Sequence, residues 1–377
     1  MPDFLHLHCH TQYSLLDGAS EIGTMMDKAK ADGQVGVALT DHGNMFGAFK
    51  FTAEAERRGL KPIIGCEFYL VEDRHKQSFS RARGESDNRY HQLLLAKDQK
   101  GYENLSKLCS LGFIEGLYGK FPRIDKELIL KHHEGLIATS CCIGAEIPQA
   151  ILHGDLEGAE ERIKWWKDLL GEDFYIEIQR HRGLENIDGL GVSQEDINQK
   201  LLEYARKYDL KVIATNDSHY VEEEDSAPHD ILLCVNTNSL LEEESRFKFP
   251  SSDFYFKTQQ EMNTLFADVP ESIDNTMEIF DKVDSLKLAR DILLPAFPLP
   301  AEFKSQDDYL RHLTYEGAKR RYGTITPEIK ERLDFELKVI ENSGYPGYFL
   351  IVQDFTTTAR QMGVSVGPGR GSAAGSP

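Results

Sequence analysis

The stretch "HLHCHTQYSLLDG", residues 6–18, sets three histidines at alternating positions and places an aspartate, Asp17, seven residues after the last of them. In a β-strand, residues two apart face the same side, so His6, His8 and His10 are expected to share one face while Cys9 points away. Six more apolar runs follow: "GVALTDH" (36–42), "KPIIGCEFYLV" (61–71), "HQLLLAKD" (91–98), "GLIATSCC" (135–142), "DFYIEIQRH" (173–181) and "KVIATNDSHY" (211–220). Segments with helical spacing lie between them. "SEIGTMMDKAKADG" opens at Ser20 as an N-cap and closes at Gly33, and "SQEDINQKLLEYARKYD" repeats apolar residues every three to four positions. Strand-helix alternation of this kind predicts an α/β fold, and seven strands with helices outside predict a barrel.

In α/β barrels the C-terminal ends of the strands carry the chemistry. Here those ends read His8 and His10, Asp41 and His42, Glu67, Cys142, and Asp217 with His219. Imidazole, carboxylate and thiolate are the ligands that zinc, manganese and iron accept, so His8, His10 and Asp17 are expected to begin a metal cluster assembled from many strand ends. Plainer readings compete at several positions. His6 lies deeper in its strand and is expected to be a hydrogen-bonded core residue. Neighbouring strand positions face opposite ways, so Asp41 is expected to orient His42 rather than bind metal itself. Glu67 could cap the next segment, but its place at a strand end favours a ligand. Cys141 and Cys142 should alternate faces, so at most one is expected to point inward, with a buried apolar role as the alternative for either. Arg180 and His181 could steady a phosphate, against an exposed-loop reading. His91 breaks the pattern, because it precedes its apolar run.

Composition frames the rest. With 377 residues and 40% hydrophobic content the chain can build one large domain or two ordinary ones. It has no apolar run of about eighteen residues and no secretory signal pattern, so a soluble, cytoplasmic protein with no membrane partner is expected. Cys9, Cys66, Cys109, Cys141, Cys142 and Cys234 are spaced as neither a disulfide framework nor a zinc ribbon. A net charge of −19 argues against a general nucleic-acid coat, although residues 311–377 carry nine Lys and Arg against seven Asp and Glu. Past about residue 275 the pattern turns helical. The proline-rich "LLPAFPLPAEF" (293–303) reads as a connection, placing a domain boundary between about 275 and 300.

"HLHCHTQYSLLDG", "LTDHGN", "IIGCEFY", "ATNDSHY" and, near the end, "GYPGYFLIVQDF" with "GVSVGPGRGSAAGS" together resemble the N-terminal portion of the bacterial replicative DNA polymerase III alpha subunits. The resemblance implies that residues 1–280 form a polymerase and histidinol phosphatase (PHP) domain, a distorted (β/α)7 barrel holding up to three divalent ions of zinc, manganese or iron. Matched motif by motif, the family's ligands fall on His8, His10, Asp17, His42, Glu67, His91, Cys142, Asp217 and His219. Residues 281–377 would be a linker and the start of a nucleotidyltransferase palm, with Arg370, Gly371 and Ser372 near the triphosphate of an incoming dNTP. The chain stops at Ser376-Pro377, where the family continues into its catalytic carboxylates, so a fragment is expected. For the full-length protein the resemblance implies magnesium-dependent DNA synthesis on a primer-template and a sliding clamp bound through later regions. For the PHP domain it implies 3′-5′ exonuclease activity on a single-stranded DNA end, or descent from one. The alternatives are a scaffold that docks a separate proofreading exonuclease subunit, or a free-standing histidinol-phosphatase-like phosphoesterase.

Overall fold

The computed structural model describes residues 3–80, 85–289 and 293–367. The chain divides into two compact units, Met1–Ala289 and Arg290–Pro377. Among the described residues of the first, one seven-stranded sheet is formed by β1 (Gly36–Leu39), β2 (Lys61–Leu70), β3 (Tyr90–Ala96), β4 (Arg123–Ile124), β5 (Leu136–Thr139), β6 (Phe174–Ile178) and β7 (Val212–Ala214). Its helices are α1 (Ile22–Ala31), α2 (Ala48–Arg58), α3 (Gln99–Ile114), α4 (Lys126–Lys131), α5 (Glu146–Leu152), α6 (Leu156–Leu170), α7 (Gln194–Tyr208), α8 (Ser226–Thr237), α9 (Gln259–Leu265) and α10 (Glu271–Lys282). The strand order is β1-β2-β3-β5-β6-β7, with the short β4 beside β2. No helix among the described residues is long and apolar enough to cross a membrane.

Two departures from a regular barrel position the site. Residues 4–10 form no regular strand: the chain bends at Leu7 and His8, and part of its ladder runs through the Thr40 side chain, where Cys9 N–H donates to Thr40 Oγ1 (2.8 Å) and Thr40 Oγ1 donates to the Cys9 carbonyl (3.0 Å). On that side Ala38 N–H also reaches the His6 carbonyl, and on the other His10 N–H reaches the Ser218 carbonyl (2.8 Å). The segment therefore joins β1 to the chain beyond β7 and draws the two edges of the sheet together. Second, β3 runs antiparallel to both β2 and β5, whereas β1-β2, β5-β6 and β6-β7 pair in parallel. The start of β3 thus lies at the rim where the parallel strands end.

Side-chain alternation fills the interior in layers. Leu5, Leu7, Ala38, Ile63, Leu95, Ile137, Tyr175 and Ile213 form one buried cluster, joined by Ile279 of α10 and by Val283. Two residues further toward the rim the same strands present polar groups, among them Thr139, Glu177 and Thr215, all buried. The outer faces pack against the helices in a larger cluster that includes Met25, Phe51, Leu105, Ile163 and Trp166. Burying one such side chain stabilises the fold by about 1.5–3 kcal/mol. β2 and β3 approach closely at Gly65, where a Cβ would lie 2.5 Å from Leu95 Cδ2 and 2.6 Å from the Leu94 carbonyl oxygen. Only glycine fits there.

Helix ends largely follow their sequence signals. α7 starts at a capping box in which Ser193 and Asp196 satisfy each other's backbone N–H. α1 is capped by Glu21 rather than Ser20, since the Glu21 carboxylate accepts from Thr24 N–H, while Ser20 is buried and its carbonyl accepts from Gln12 N–H. In the second unit residues 293–303 form no helix or strand, and α11 (Gln306–Tyr322), α12 (Pro327–Ser343) and α13 (Pro346–Gln361) follow. Arg370, Gly371 and Ser372 lie outside the described residues.

Candidate metal centre

The rim residues are delivered by different elements onto one point. Glu67, near the end of β2, is 1% exposed and is the hub. His42 Nδ1 lies 2.6 Å from its Oε2, and its Oε1 is 3.0 Å from His91 Nδ1 and 3.3 Å from His8 Nε2. The thiols of Cys141 and Cys142 each donate to the same Oε1 at 3.4 Å. Asp217 forms a second hub, its Oδ1 3.2 Å from His8 Nε2 and 3.1 Å from His10 Nε2. Asp17 Oδ2 is 3.2 Å from His42 Nε2, and the rings of His10 and His219 stack with centroids 4.2 Å apart. All nine residues expected to be ligands therefore meet at one rim.

Their ligand atoms form overlapping groups: His8 with His10 and Asp217, His10 with His42 and His219, His42 with Glu67 and His91, and His8 with Glu67 and Cys141. Within each group the atoms lie within 4.8 Å of one another. The site thus offers donor sets suited to divalent metal ions, and more than one of them.

The imidazoles are oriented from behind. His8 Nδ1 donates to Glu177 Oε1 (2.7 Å), and Glu177 also accepts from Gln179 Nε2 (2.9 Å) and from the hydroxyls of Thr215 and Thr139. His10 Nδ1 donates to Ser14 Oγ (2.9 Å), whose own hydroxyl donates to Asp41 Oδ1 (2.7 Å). His219 Nδ1 donates to the Asp217 carbonyl (2.7 Å). Acceptors behind Nδ1 fix the tautomer that leaves Nε2 bare toward the rim.

Six buried atoms at this rim are in no hydrogen bond of proper geometry among the described residues, although most of them face one another as ion pairs: His8 Nε2, His10 Nε2, His42 Nδ1, Asp17 Oδ1, Glu67 Oε2 and Asp217 Oδ1. Buried polar atoms left unpaired are costly, and lone pairs converging from both imidazole and carboxylate are matched by a cation between them. The donor set therefore fits a divalent-metal cluster.

Electrostatics point the same way. Burial opposes ionisation of Glu67, yet His91, His42 and His8 hold its carboxyl well below the usual range. Burial also opposes ionisation of Asp217, and His8, His219 and His10 overcome it in the same direction. In turn burial disfavours charge on His8 and His42, but the carboxylates around them raise both well above the ordinary value. His10 behaves differently: burial, reinforced by His42 and His219, pushes it down to about 3, so it stays neutral. The carboxylates require positive charge at the centre, which imidazolium supplies without metal and a divalent ion supplies with the imidazoles neutral.

Residues 6–181 match the PHP domain family, and residues 308–377 match the bacterial DNA polymerase III alpha NTPase domain. The DNA polymerase III alpha subunit of Borreliella burgdorferi is 45% identical over 375 residues, covering 99% of this chain and 32% of that protein. Along 99% of its length the chain is similar to bacterial DNA polymerase III alpha subunits. The Treponema pallidum subunit is 42% identical, with 99% of this chain and 31% of that protein covered, and the Thermus aquaticus subunit 41%, with 99% and 35%. The chain spans about a third of the length of these curated DNA polymerase III alpha relatives. Among solved structures, an amidohydrolase from Chromobacterium violaceum aligns with a TM-score of 0.36 at 17% identity, over 57% of this chain and 87% of that one.

Several expectations for this PHP domain change in the structure. His91 faces the rim because β3 is antiparallel, so the start of that strand is its rim end. Both Cys141 and Cys142 reach Glu67, because Cys141 takes up φ +59° and the chain turns there instead of continuing its alternation. Asp41 acts through Ser14, whose hydroxyl oxygen accepts from His10 Nδ1 and from His42 N–H, rather than on the His42 ring. Arg180 lies in the irregular chain past β6, half-buried and paired with Glu195 and Asp268; His181, expected to be exposed there, is buried, stacked 4.0 Å from Phe254 and bonded to the Asn216 carbonyl. His6 is the core residue expected, its Nε2 bonded to the Lys257 carbonyl at 2.8 Å. Glu177 was missed, though a lone acid inside the apolar run "FYIEI" was a legible signal.

Proposed function

We propose that this chain is the N-terminal part of a replicative DNA polymerase III alpha subunit and that its PHP domain is a metal-dependent phosphodiesterase acting on the 3′ end of single-stranded DNA. The observation that carries the reading is the convergence on one rim of six buried imidazole and carboxylate atoms that no hydrogen bond of proper geometry satisfies. His8, His10, Glu67 and Asp217 would fix up to three ions of zinc, manganese or iron, with Asp17, His42, His91, Cys142 and His219 completing their surroundings. Divalent ions bound there would stabilise both the attacked and the departing oxygens of a phosphodiester and activate the attacking water. The chain's own contribution is positional: Glu177 holds the Nδ1 proton of His8, and the Asp41-Ser14 pair holds that of His10.

For the whole protein the reading extends to magnesium-dependent synthesis on a primer-template from dNTPs, with Arg370, Gly371 and Ser372 approaching the triphosphate, to a clamp and a proofreading exonuclease subunit as partners, and to a cytoplasmic location. The phosphodiesterase is tested with a 5′-labelled single-stranded oligonucleotide and zinc- or manganese-loaded protein. The wild type should shorten it from the 3′ end, while His10→Ala and Asp217→Asn should not, with the fold retained by circular dichroism. A fully metallated wild type that releases no nucleotide with either ion overturns the exonuclease assignment and leaves the docking scaffold in its place.

A further inference from the structure

Cys141 has two features that a small apolar core residue does not need. Its backbone sits at φ +59°, a left-handed conformation that suits glycine and strains a residue with a Cβ. Its buried thiol donates to Glu67 Oε1 at 3.4 Å, the same distance at which Cys142 meets that oxygen. The inner face of β5 runs Ile137, Thr139 and then Cys141, and the left-handed turn at Cys141 brings its neighbour Cys142 onto the same carboxylate. The ligand atoms of Cys141, His8 and Glu67 lie within 4.8 Å of one another, so a single ion could be reached by all three.

We propose that Cys141 is a metal ligand beside the nine residues above, and that Cys141 and Cys142 give the cluster a two-sulfur edge selective for a thiophilic ion such as zinc over manganese or magnesium. This rests on the reading of the rim as a metal centre. Each thiol binds as thiolate: its S–H bond breaks, a sulfur-metal bond forms and the proton leaves to solvent. Soft sulfur ligands favour zinc, while carboxylate and water suit manganese and magnesium, so the two sulfurs set a metal preference that the imidazoles and carboxylates alone would not.

Cobalt(II) replaces zinc and gives near-ultraviolet charge-transfer absorption only when thiolate is bound. Metal-free protein is loaded with cobalt as wild type, Cys141→Gly, Cys141→Ser, Cys142→Ser and the Cys141→Gly/Cys142→Ser double variant, and bound cobalt is measured by elemental analysis. Glycine suits φ +59°, so Cys141→Gly should fold, and serine preserves size. With two equivalent sulfur ligands, absorption per bound cobalt should fall by about half in each single variant and vanish in the double one. Wild-type absorption per cobalt in Cys141→Gly and Cys141→Ser, or cobalt bound by the wild type with no such band, overturns the role of Cys141 and leaves the metal centre standing. Failure of the wild type to take up cobalt overturns both.

Discussion

Replacing Glu177 with glutamine removes one charge from the interior and changes no volume. Every group around the carboxylate is a donor: His8 Nδ1 at 2.7 Å, Gln179 Nε2 at 2.9 Å and the Thr139 and Thr215 hydroxyls. A glutamine amide turns its own N–H groups toward at least one of them, and a buried donor left unmatched costs about 1–3 kcal/mol. The larger effect falls on His8. Without a carboxylate behind Nδ1 its proton can move to Nε2, the atom that faces Glu67 and Asp217. Loss of a group that orients a metal-binding histidine weakens binding about 10–100-fold, or about 1.4–2.8 kcal/mol. The assay is competition for zinc against a chelator of known affinity, alongside melting temperatures of the loaded and metal-free proteins. Glu177→Gln should lower the affinity into that range and narrow the gap between the two melts. Wild-type affinity, with both melts lowered equally, would show that Glu177 only supports the fold and would refute the orienting role.

Three other outcomes are expected. At metal concentrations about 1,000-fold above Kd, binding to the folded state adds about 4 kcal/mol, so chelation should lower the melting temperature by roughly 10 °C; an unchanged melt after verified metal removal contradicts this. Ser14→Ala removes the hydroxyl between Asp41 and His10 and should weaken metal binding about tenfold, read in the same competition; undiminished affinity would show that the relay does not matter. The third concerns acid. Burial pushes His6 down to about 3 and His181 to about 4 from the ordinary 6.5, so the unfolded chain takes up protons that the folded one refuses. The stability they contribute is whole above pH 6.5 and drains as pH falls, by roughly 3 kcal/mol for His181 alone at pH 4. The raised histidines His8 and His42 do not offset this, since their contribution is already complete below 6.5. Urea denaturation of metal-free protein at pH 7 and pH 4.5 measures it, and equal midpoints would contradict it.

The rim was legible in the sequence wherever a parallel strand ended in an imidazole or carboxylate, as at His42, Glu67 and Asp217, because strand direction and period-two alternation suffice there. His91 escaped that rule, since residue spacing does not say which way a strand runs in its sheet. Cys141 and Cys142 escaped it because alternation assumes extended backbone and the chain turns left-handed at Cys141. Glu177 and Ser14 belong to hydrogen-bond networks closed by residues distant in sequence, such as His8 and Asp41, which no local pattern joins. The opening segment is expected as a strand with His6, His8 and His10 on one face, but bends at Leu7 and His8 break the alternation: Leu5 and Leu7 join the inner layer, His6 packs against Phe256, and His8 and His10 still reach the rim.

Whether this rim holds divalent metal is decided by the metal content of protein purified without added metal. Elemental analysis should find at least one equivalent of zinc, manganese or iron in the wild type and a clear loss of it in His10→Ala and Asp217→Asn. Wild-type protein that is folded, carries no transition metal and takes up none from zinc or manganese solution would contradict the account.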